Sequence, residues 1–258
     1  MFVTTAGRTD EHMTAQAKLI ALELKTEFIP RKKRSVSKIQ ELVKDDCLVV
    51  GKERLELFPL GESEPFFFHP NSAMFRIKRL MKLERDPLID AAQLRKGKSF
   101  LDCSLGLGSD SVVASFVVSD EGAVTGIEAR KELSYLVKAG LRTWDSGNEL
   151  INRAMKNIEV IEGYSLDILK ELPDSSVDCV YFDPMFDESI LESDGIRSLT
   201  KFAVYEGLSH EMVAHAKRIS RERVVLKDHF RSRRFEEFGF SVIVRKSAKF
   251  HFGVIEKE

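Results

Sequence analysis

The chain has 258 residues, 43% of them hydrophobic and 31% charged, with 15 glycines and 7 prolines. This composition excludes a largely disordered, collagen-like or low-complexity protein and is ample for a buried core. Net charge is −1, which argues against a protein that coats nucleic acid indiscriminately. The average hides an asymmetry, because residues 1–98 carry a balance of +5 and residues 99–258 a balance of −6. No apolar run approaches the roughly 20 residues of a membrane helix. Arg8, Asp10 and Glu11 interrupt the start before an apolar stretch develops, so a signal peptide is not expected and the expected location is the cytoplasm.

In chain order, Phe2–Thr5 reads as a strand, Glu11–Lys25 as a helix entered at Thr9 or Asp10, and Ser35–Lys44 as a second helix capped by Ser35. A hairpin follows, with arms Cys47–Val50 and Arg54–Phe58 joined by Gly51-Lys52-Glu53, and Phe66-Phe67-Phe68 offers a further strand. A basic helix, Ser72–Glu84, leads onward. From Ser99 short β-branched or apolar runs alternate with helical stretches. The strands are expected at Ser99–Cys103, Ala123–Ile127, Glu159–Glu162, Val177–Phe182, Arg223–Lys227, Phe240–Lys246 and Phe250–Ile255. Helices are expected at Asp110–Val118, Lys131–Ser146, Leu166–Glu171 and around Ser198–Ile219.

This alternation predicts an α/β fold: a Rossmann-like, seven-stranded, mostly parallel sheet. Its last two strands, separated only by Ser247 to Lys249, form an antiparallel hairpin. A small basic α/β domain over residues 1–90 would precede the main domain, residues 91–258. Cys47, Cys103 and Cys179 have neither C-x-x-C spacing nor a nearby His pair, so they read as small buried hydrophobes, and no metal site is expected.

The segment from Phe100 through Asp102, Gly106 and Gly108 to Asp110 is a strand ending in a glycine turn before a helix, which lets the backbone pass close to a nucleotide-like ligand. Glu128 ends the next strand, where a carboxylate binds ribose hydroxyls. A dinucleotide would want a small uncharged neighbour for its pyrophosphate, and Asp110 is repulsive there. S-Adenosylmethionine carries a sulfonium and an amino group instead, for which Asp102 and Asp110 are attractive partners.

Asp183-Pro184-Met185-Phe186 ends the fourth strand and resembles the [Asp/Asn]-Pro-Pro-[Tyr/Phe] motif of methyltransferases that modify exocyclic amines. The chemistry suits the residue types. Asp183 and the Pro184 carbonyl accept the amine hydrogens and orient its lone pair, while Phe186 stacks on the base. Met185 replaces the second proline.

On these residues, together with Arg223-Val224-Val225-Leu226-Lys227, the chain resembles class I S-adenosylmethionine-dependent methyltransferases, and within them the small-subunit ribosomal RNA guanine-N2 methyltransferase family. The hairpin Cys47–Phe58 also resembles that family's N-terminal hairpin. The resemblance implies S-adenosylmethionine as cofactor, ribosomal RNA as partner, and Ser109, Asp110, Glu128, Ala129, Tyr164, Ser165 and Asp183 at cofactor-contacting positions. Two departures stand out. The acid that many class I enzymes place after the third strand is missing from Gly163-Tyr164-Ser165-Leu166-Asp167, leaving its role to Ser165 or backbone groups, with Asp167 expected on the surface. Phe186 is followed by Asp187 where the ribosomal enzymes tend to have proline, and Phe2–Lys44 matches nothing in the family.

Arg31, Lys32, Lys33 and Arg34 form a compact basic cluster, and Arg76, Lys78, Arg79, Lys82 and Arg85 fall within one helical stretch; both are candidate RNA contacts or solvated faces. Lys227 is open to two readings, a hold on a substrate phosphate or a pairing with Asp228 or a neighbouring carboxylate. His69 and His229 read as loop or core histidines. Methylation of DNA, a protein side chain or a small amine remains open, as do a non-catalytic RNA-binding module and an NAD-dependent dehydrogenase.

Overall fold

The computed structural model describes residues 1–184 and 207–257. Its N-terminal part is a four-stranded sheet. Strands β1 (Phe2–Thr5), β2 (Glu27–Phe28) and β3 (Cys47–Val50) run parallel, and β4 (Leu55–Phe58) pairs antiparallel with β3, in the order β2-β1-β3-β4. Asp10 caps α1 (Glu11–Glu23) by accepting from Met13 N at 2.7 Å, and Ser35 caps α2 (Val36–Val43) by accepting from Lys38 N at 3.0 Å. The expected hairpin is present. Of the phenylalanine triplet only Phe66 pairs, in a bridge to Leu57. Phe67 lies under the Arg54 guanidinium at 3.7 Å, and Phe68 packs edge-on against Trp144.

Two helices lead to the second sheet: α3 (Asn71–Leu80) and α4 (Pro87–Ala92), the latter capped by Asp86 with proline in its first turn. The elements that follow are β5 (Ser99–Asp102), α5 (Ser109–Val118), β6 (Ala123–Glu128), α6 (Lys131–Thr143), α7 (Glu149–Lys156), β7 (Ile158–Glu162), α8 (Ser165–Glu171) and β8 (Val177–Phe182). Beyond them come α9 (His210–Ile219), β9 (Ser220–His229), α10 (Arg234–Glu237), β10 (Ser241–Ile243) and β11 (Phe250–Glu256).

The seven strands take the order β10-β11-β9-β8-β5-β6-β7. All neighbours are parallel except β11, which runs antiparallel to both β9 and β10. This is the expected Rossmann-like sheet with its antiparallel C-terminal hairpin. Three expectations are corrected. The basic helix drawn over Ser72–Glu84 ends at Leu80, and a turn follows it. The helix drawn to Ser146 stops at Thr143, and a separate α7 begins after Asn148, whose side chain caps it through Leu150 N and Ile151 N. The strand drawn over Phe240–Lys246 shrinks to Ser241–Ile243, all exposed, because only those residues find partners on β11.

The central strands are buried on both faces, so Phe100, Leu101, Val180, Tyr181, Phe182, Val224, Val225 and Leu226 form continuous apolar runs. One buried cluster takes in Leu48, Leu57, Phe68 and Ile77 from the front of the chain together with Phe100, Val113 and Val137. The contact closes where Phe68 occupies the space a side chain at Gly140 of α6 would need. All three cysteines are buried, and burial pushes the Cys47 thiol up to about 12, which removes it as a nucleophile. Among the described residues no helix is long and apolar enough to cross a membrane.

Candidate active site

Strands β5 and β8 are neighbours whose crossover connections leave in opposite directions, so a crevice opens between their carboxyl ends. The turn after β5 fills that position. Gly106 (φ 51°) and Gly108 (φ 73°) sit in the left-handed region that favours glycine, and Gly108 N closes the turn on Leu105 O at 2.7 Å. A side chain on Gly106 would meet nothing closer than Ser104 O at 3.9 Å, so open space faces the turn. Leu105 is anchored below it by its amide on Ile127 O at 3.0 Å, with its side chain over the bare backbone of Gly126.

Asp102 is buried beneath this turn. Its Oδ1 accepts from Ser104 N at 3.0 Å and its Oδ2 from Ser111 Oγ at 2.7 Å, so it shapes the loop and the first turn of α5. Burial pushes its carboxyl up to about 7, against the opposing hydrogen bond from Ser111. Glu128, at the end of β6, accepts from Gly106 N at 3.2 Å and Arg130 N at 2.9 Å, and burial raises its pKa as well. Half-buried Ala129 follows it. Tyr164 is exposed, whereas Ser165 is buried and donates to Cys103 O at 2.6 Å; Asp167 is exposed as expected.

Asp110 is the hub of a charged network. Its Oδ2 accepts from Tyr181 Oη at 2.9 Å and Lys227 Nζ at 3.1 Å, and its Oδ1 pairs with Arg76 of α3. Arg76 also makes a bidentate bridge to Asp86, with both contacts at 2.8 Å. Lys227 continues to Asp183 Oδ2 at 2.6 Å, and Asp183 N donates to Ser104 Oγ at 2.7 Å, tying the end of β8 to the glycine turn.

Burial alone would raise the Asp110 pKa. The Lys227 and Arg76 charges outweigh it and hold the group well below the usual carboxylate range. Asp183 goes the other way: burial raises it, with Asp110 adding to the rise and Lys227 opposing it. Lys227 is desolvated too, yet the two carboxylates hold its ammonium above the ordinary lysine range.

Sequence reasoning missed three members of this network: Arg76, Asp86 and Tyr181. Tyr181 had a local signal, since residues two apart on a strand share a face and so Tyr181 joins Asp183. Lys227 pairs with Asp183 and Asp110, whereas Asp228 pairs with Arg234 at 3.1 Å. Pro184 is half-buried beside Asp183, and Phe186 lies outside the described residues.

The Arg31–Arg34 cluster is elsewhere. Arg31 Nε donates to Arg34 O at 3.0 Å, Arg34 Nε to Arg31 O at 3.2 Å, and Arg31 also reaches Thr5 O, at the carboxyl end of β1. The amino end of the neighbouring strand β3 is the end that meets the main sheet, where Asp46 pairs with Arg130 at 3.3 Å. Lys32 and Lys33 are exposed on this turn. The Nδ1 of His69 is buried without a partner among the described residues and burial lowers its pKa, while His229 stacks on Phe230.

The site suits S-adenosylmethionine. The Glu128 carboxylate ends β6 beside the glycine turn, Ser109 Oγ is buried there without a partner among the described residues, and Gly106 leaves room for close approach. In the network the three acids Asp86, Asp110 and Asp183 face the two cations Arg76 and Lys227, a balance that favours a cationic ligand. Among the described residues no group of three or more His, Cys, Asp or Glu is arranged to hold a metal ion.

Strand order, glycine turn, acid after β6 and Asp-Pro after β8 together define a class I S-adenosylmethionine-dependent methyltransferase. Known proteins agree. A Neisseria gonorrhoeae protein, the SAM-dependent methyltransferase NGO1261, shares the fold with a TM-score of 0.66 at 16% identity, over 99% of this chain and 96% of that one. A Bacillus subtilis relative, the uncharacterized protein YpiP, is 46% identical over 254 residues, 98% of each chain. The profile of the family described as "Putative SAM-dependent methyltransferase" matches residues 34–251, and the chain belongs to that family. It is an enzyme with S-adenosylmethionine as cofactor.

Proposed function

We propose that the protein methylates an exocyclic amine of guanine in RNA, with small-subunit ribosomal RNA as the substrate. The observation that carries the reading is the position of Asp183: at the carboxyl end of β8, tied to the glycine turn through Ser104 and held by Lys227 at 2.6 Å. S-Adenosylmethionine, when bound, supplies an electrophilic methyl group. The chain's part is to present the nucleophile. A guanine amine has its lone pair conjugated into the ring, so acceptors must orient its hydrogens before it can attack. Lys227 occupies Asp183 Oδ2, and among the described residues no donor reaches Oδ1, which leaves that oxygen for one amine hydrogen; the Pro184 carbonyl takes the other. The raised pKa of Asp183 also suits it to receive the proton released after attack.

In this reading Asp102, Gly106, Gly108, Ser109, Asp110, Glu128, Ala129, Tyr164 and Ser165 form the cofactor side of the crevice, with Asp102, Asp110 and Ser165 acting mainly through the loop geometry they hold. Residues 1–90 form a basic unit that assists the methyltransferase unit 91–258, and Arg31, Lys32, Lys33 and Arg34 are a peripheral RNA contact.

The test is methyl transfer from labelled S-adenosylmethionine to small-subunit ribosomal RNA, DNA, protein and small amines in parallel, followed by nucleoside analysis. The expected product is N2-methylguanosine, lost in Asp183→Ala. Label confined to DNA, protein or small amines would overturn the substrate reading while leaving the enzyme class intact.

A further inference from the structure

Helix α3 presents two faces that do different things. Ala73 and Ile77 are buried, and Arg76 turns inward to Asp86 and Asp110. Phe75, Lys78 and Arg79 recur at i, i+3 and i+4, so they share another face, and Lys82 lies in the turn that follows the helix. Phe75 is 65% exposed there. Lys78 and Lys82 are exposed and have no carboxylate partner among the described residues, whereas Arg79 is bridged to Glu84 at 2.7 Å. The following turn is closed by Leu83 N on Leu80 O at 2.9 Å and Glu84 N on Arg79 O at 3.2 Å. At its tip Leu83 takes a left-handed φ of 62° and is 95% exposed. A leucine in that conformation is strained, and one so placed in water gains nothing from burial.

An exposed aromatic ring followed by two lysines with no carboxylate partner among the described residues has the chemistry of a single-strand nucleic-acid platform, with a base stacked on the ring and phosphates on the lysines. Its place fits, because Phe75 adjoins Arg76, and Arg76 touches the hub of the active-site network. The Arg31–Arg34 turn lies beyond the opposite end of β1. We infer that the outer face of α3 and the turn that follows it, carrying Phe75, Lys78, Lys82 and Leu83, dock a single-stranded segment of the RNA substrate beside the methyl-transfer site. This rests on the RNA reading above.

The experiment compares the full chain with Phe75→Ala and with Lys78→Ala/Lys82→Ala. Binding to fluorescent single-stranded fragments of small-subunit ribosomal RNA is followed by anisotropy across a salt series, and methyl transfer to RNA is measured alongside. Phe75→Ala is expected to bind about 10-fold more weakly, as loss of one stacked base predicts. The double variant should lower the log-log salt slope by about 1.4, the share of two phosphate contacts on a single strand. S-Adenosylhomocysteine affinity and the unfolding midpoint should match wild type in both. If wild type binds and methylates RNA and both variants do the same, the docking inference falls and the RNA reading stands. If wild type neither binds nor methylates RNA, the RNA reading falls and takes the inference with it. If the variants lose methyl transfer to a protein substrate instead, the face docks protein and the inference is overturned.

Discussion

The Lys227 ammonium lies 2.6 Å from Asp183 Oδ2, joining the end of β9 to the end of β8. The same ammonium is the cation Asp183 shares with Asp110, and it opposes the repulsion between the two carboxylates. Lys227→Met removes it. Because the Lys227 and Asp183 side chains are 24% and 25% exposed, the expected loss is about 2 kcal/mol, below that of a fully buried pair. Losing the cation also raises the Asp183 pKa further, so protonation relieves the variant and its deficit should be smaller at pH 5 than at pH 8. Urea unfolding at both values checks the sign.

Arg76 satisfies two acids that are themselves largely buried, Asp86 and Asp110, and no lysine can reproduce its fork. Arg76→Ala is expected to cost about 3 kcal/mol, and Arg76→Lys to recover only part of it. Methyl-transfer activity should fall with the stability, since Asp110 then presses its charge on Lys227 alone. Unfolding midpoints of the two variants, set against wild type, decide it.

Asp102 supplies a pH dependence with a definite direction. Its carboxyl is pushed up to about 7 in the folded chain and returns to about 4 on unfolding. Between those values the folded state holds a proton that the unfolded state has released. The group's contribution is therefore fully present below about pH 4 and declines as pH rises towards 7. Asp102→Asn does not titrate and can still accept from Ser104 N while donating to Ser111 Oγ. From pH 5 to pH 8 the variant should gain about 2 kcal/mol relative to wild type in urea unfolding.

Glu128 should govern cofactor affinity without governing the fold. On the proposed role of Glu128 as an acceptor for ribose hydroxyls, Glu128→Ala is expected to weaken S-adenosylhomocysteine binding about 10- to 100-fold by calorimetric titration. Glu128→Gln, which keeps one acceptor for Gly106 N or Arg130 N, should fall between the two.

Gly140 lies inside α6, where alanine would ordinarily stabilise by about 1 kcal/mol. Phe68 already fills the position of the missing Cβ. Gly140→Ala is thus expected to destabilise by about 1–3 kcal/mol through overpacking, and adding Phe68→Leu should recover part of that loss. Thermal unfolding of the single and double variants measures the coupling.

Much of the sheet was legible because its centre is apolar on both faces, and runs such as Val177–Phe182 admit no other reading. The glycine turn, Glu128 and Asp183 were legible because each ends a strand. Helix α7 was missed although Asn148 followed by Glu149 is a capping signal, and α4 although Asp86-Pro87 is another; in both cases the short segment was left in a connection between longer elements. Strand β2 has only two residues, Glu27 and Phe28, too few to leave a pattern. The network around Asp110 escaped for a different reason. Arg76 is 34 residues away and Lys227 is 117, and no local spacing announces partners supplied by separate elements.

The placement of β11 has a kinetic consequence. It lies between β9 and β10 and pairs with β9 over seven residues, among them Phe252 opposite Lys227. Until residues 250–256 have been synthesised, the strand that carries Lys227 has one bare edge and β10 has no strand to join. Chain elongation can assemble the β5-β6-β7 arm early, but closure waits for pairings distant in sequence, which slows folding. A chain ending at Lys249 would hold every cofactor-side residue named above and an open sheet edge beside Lys227.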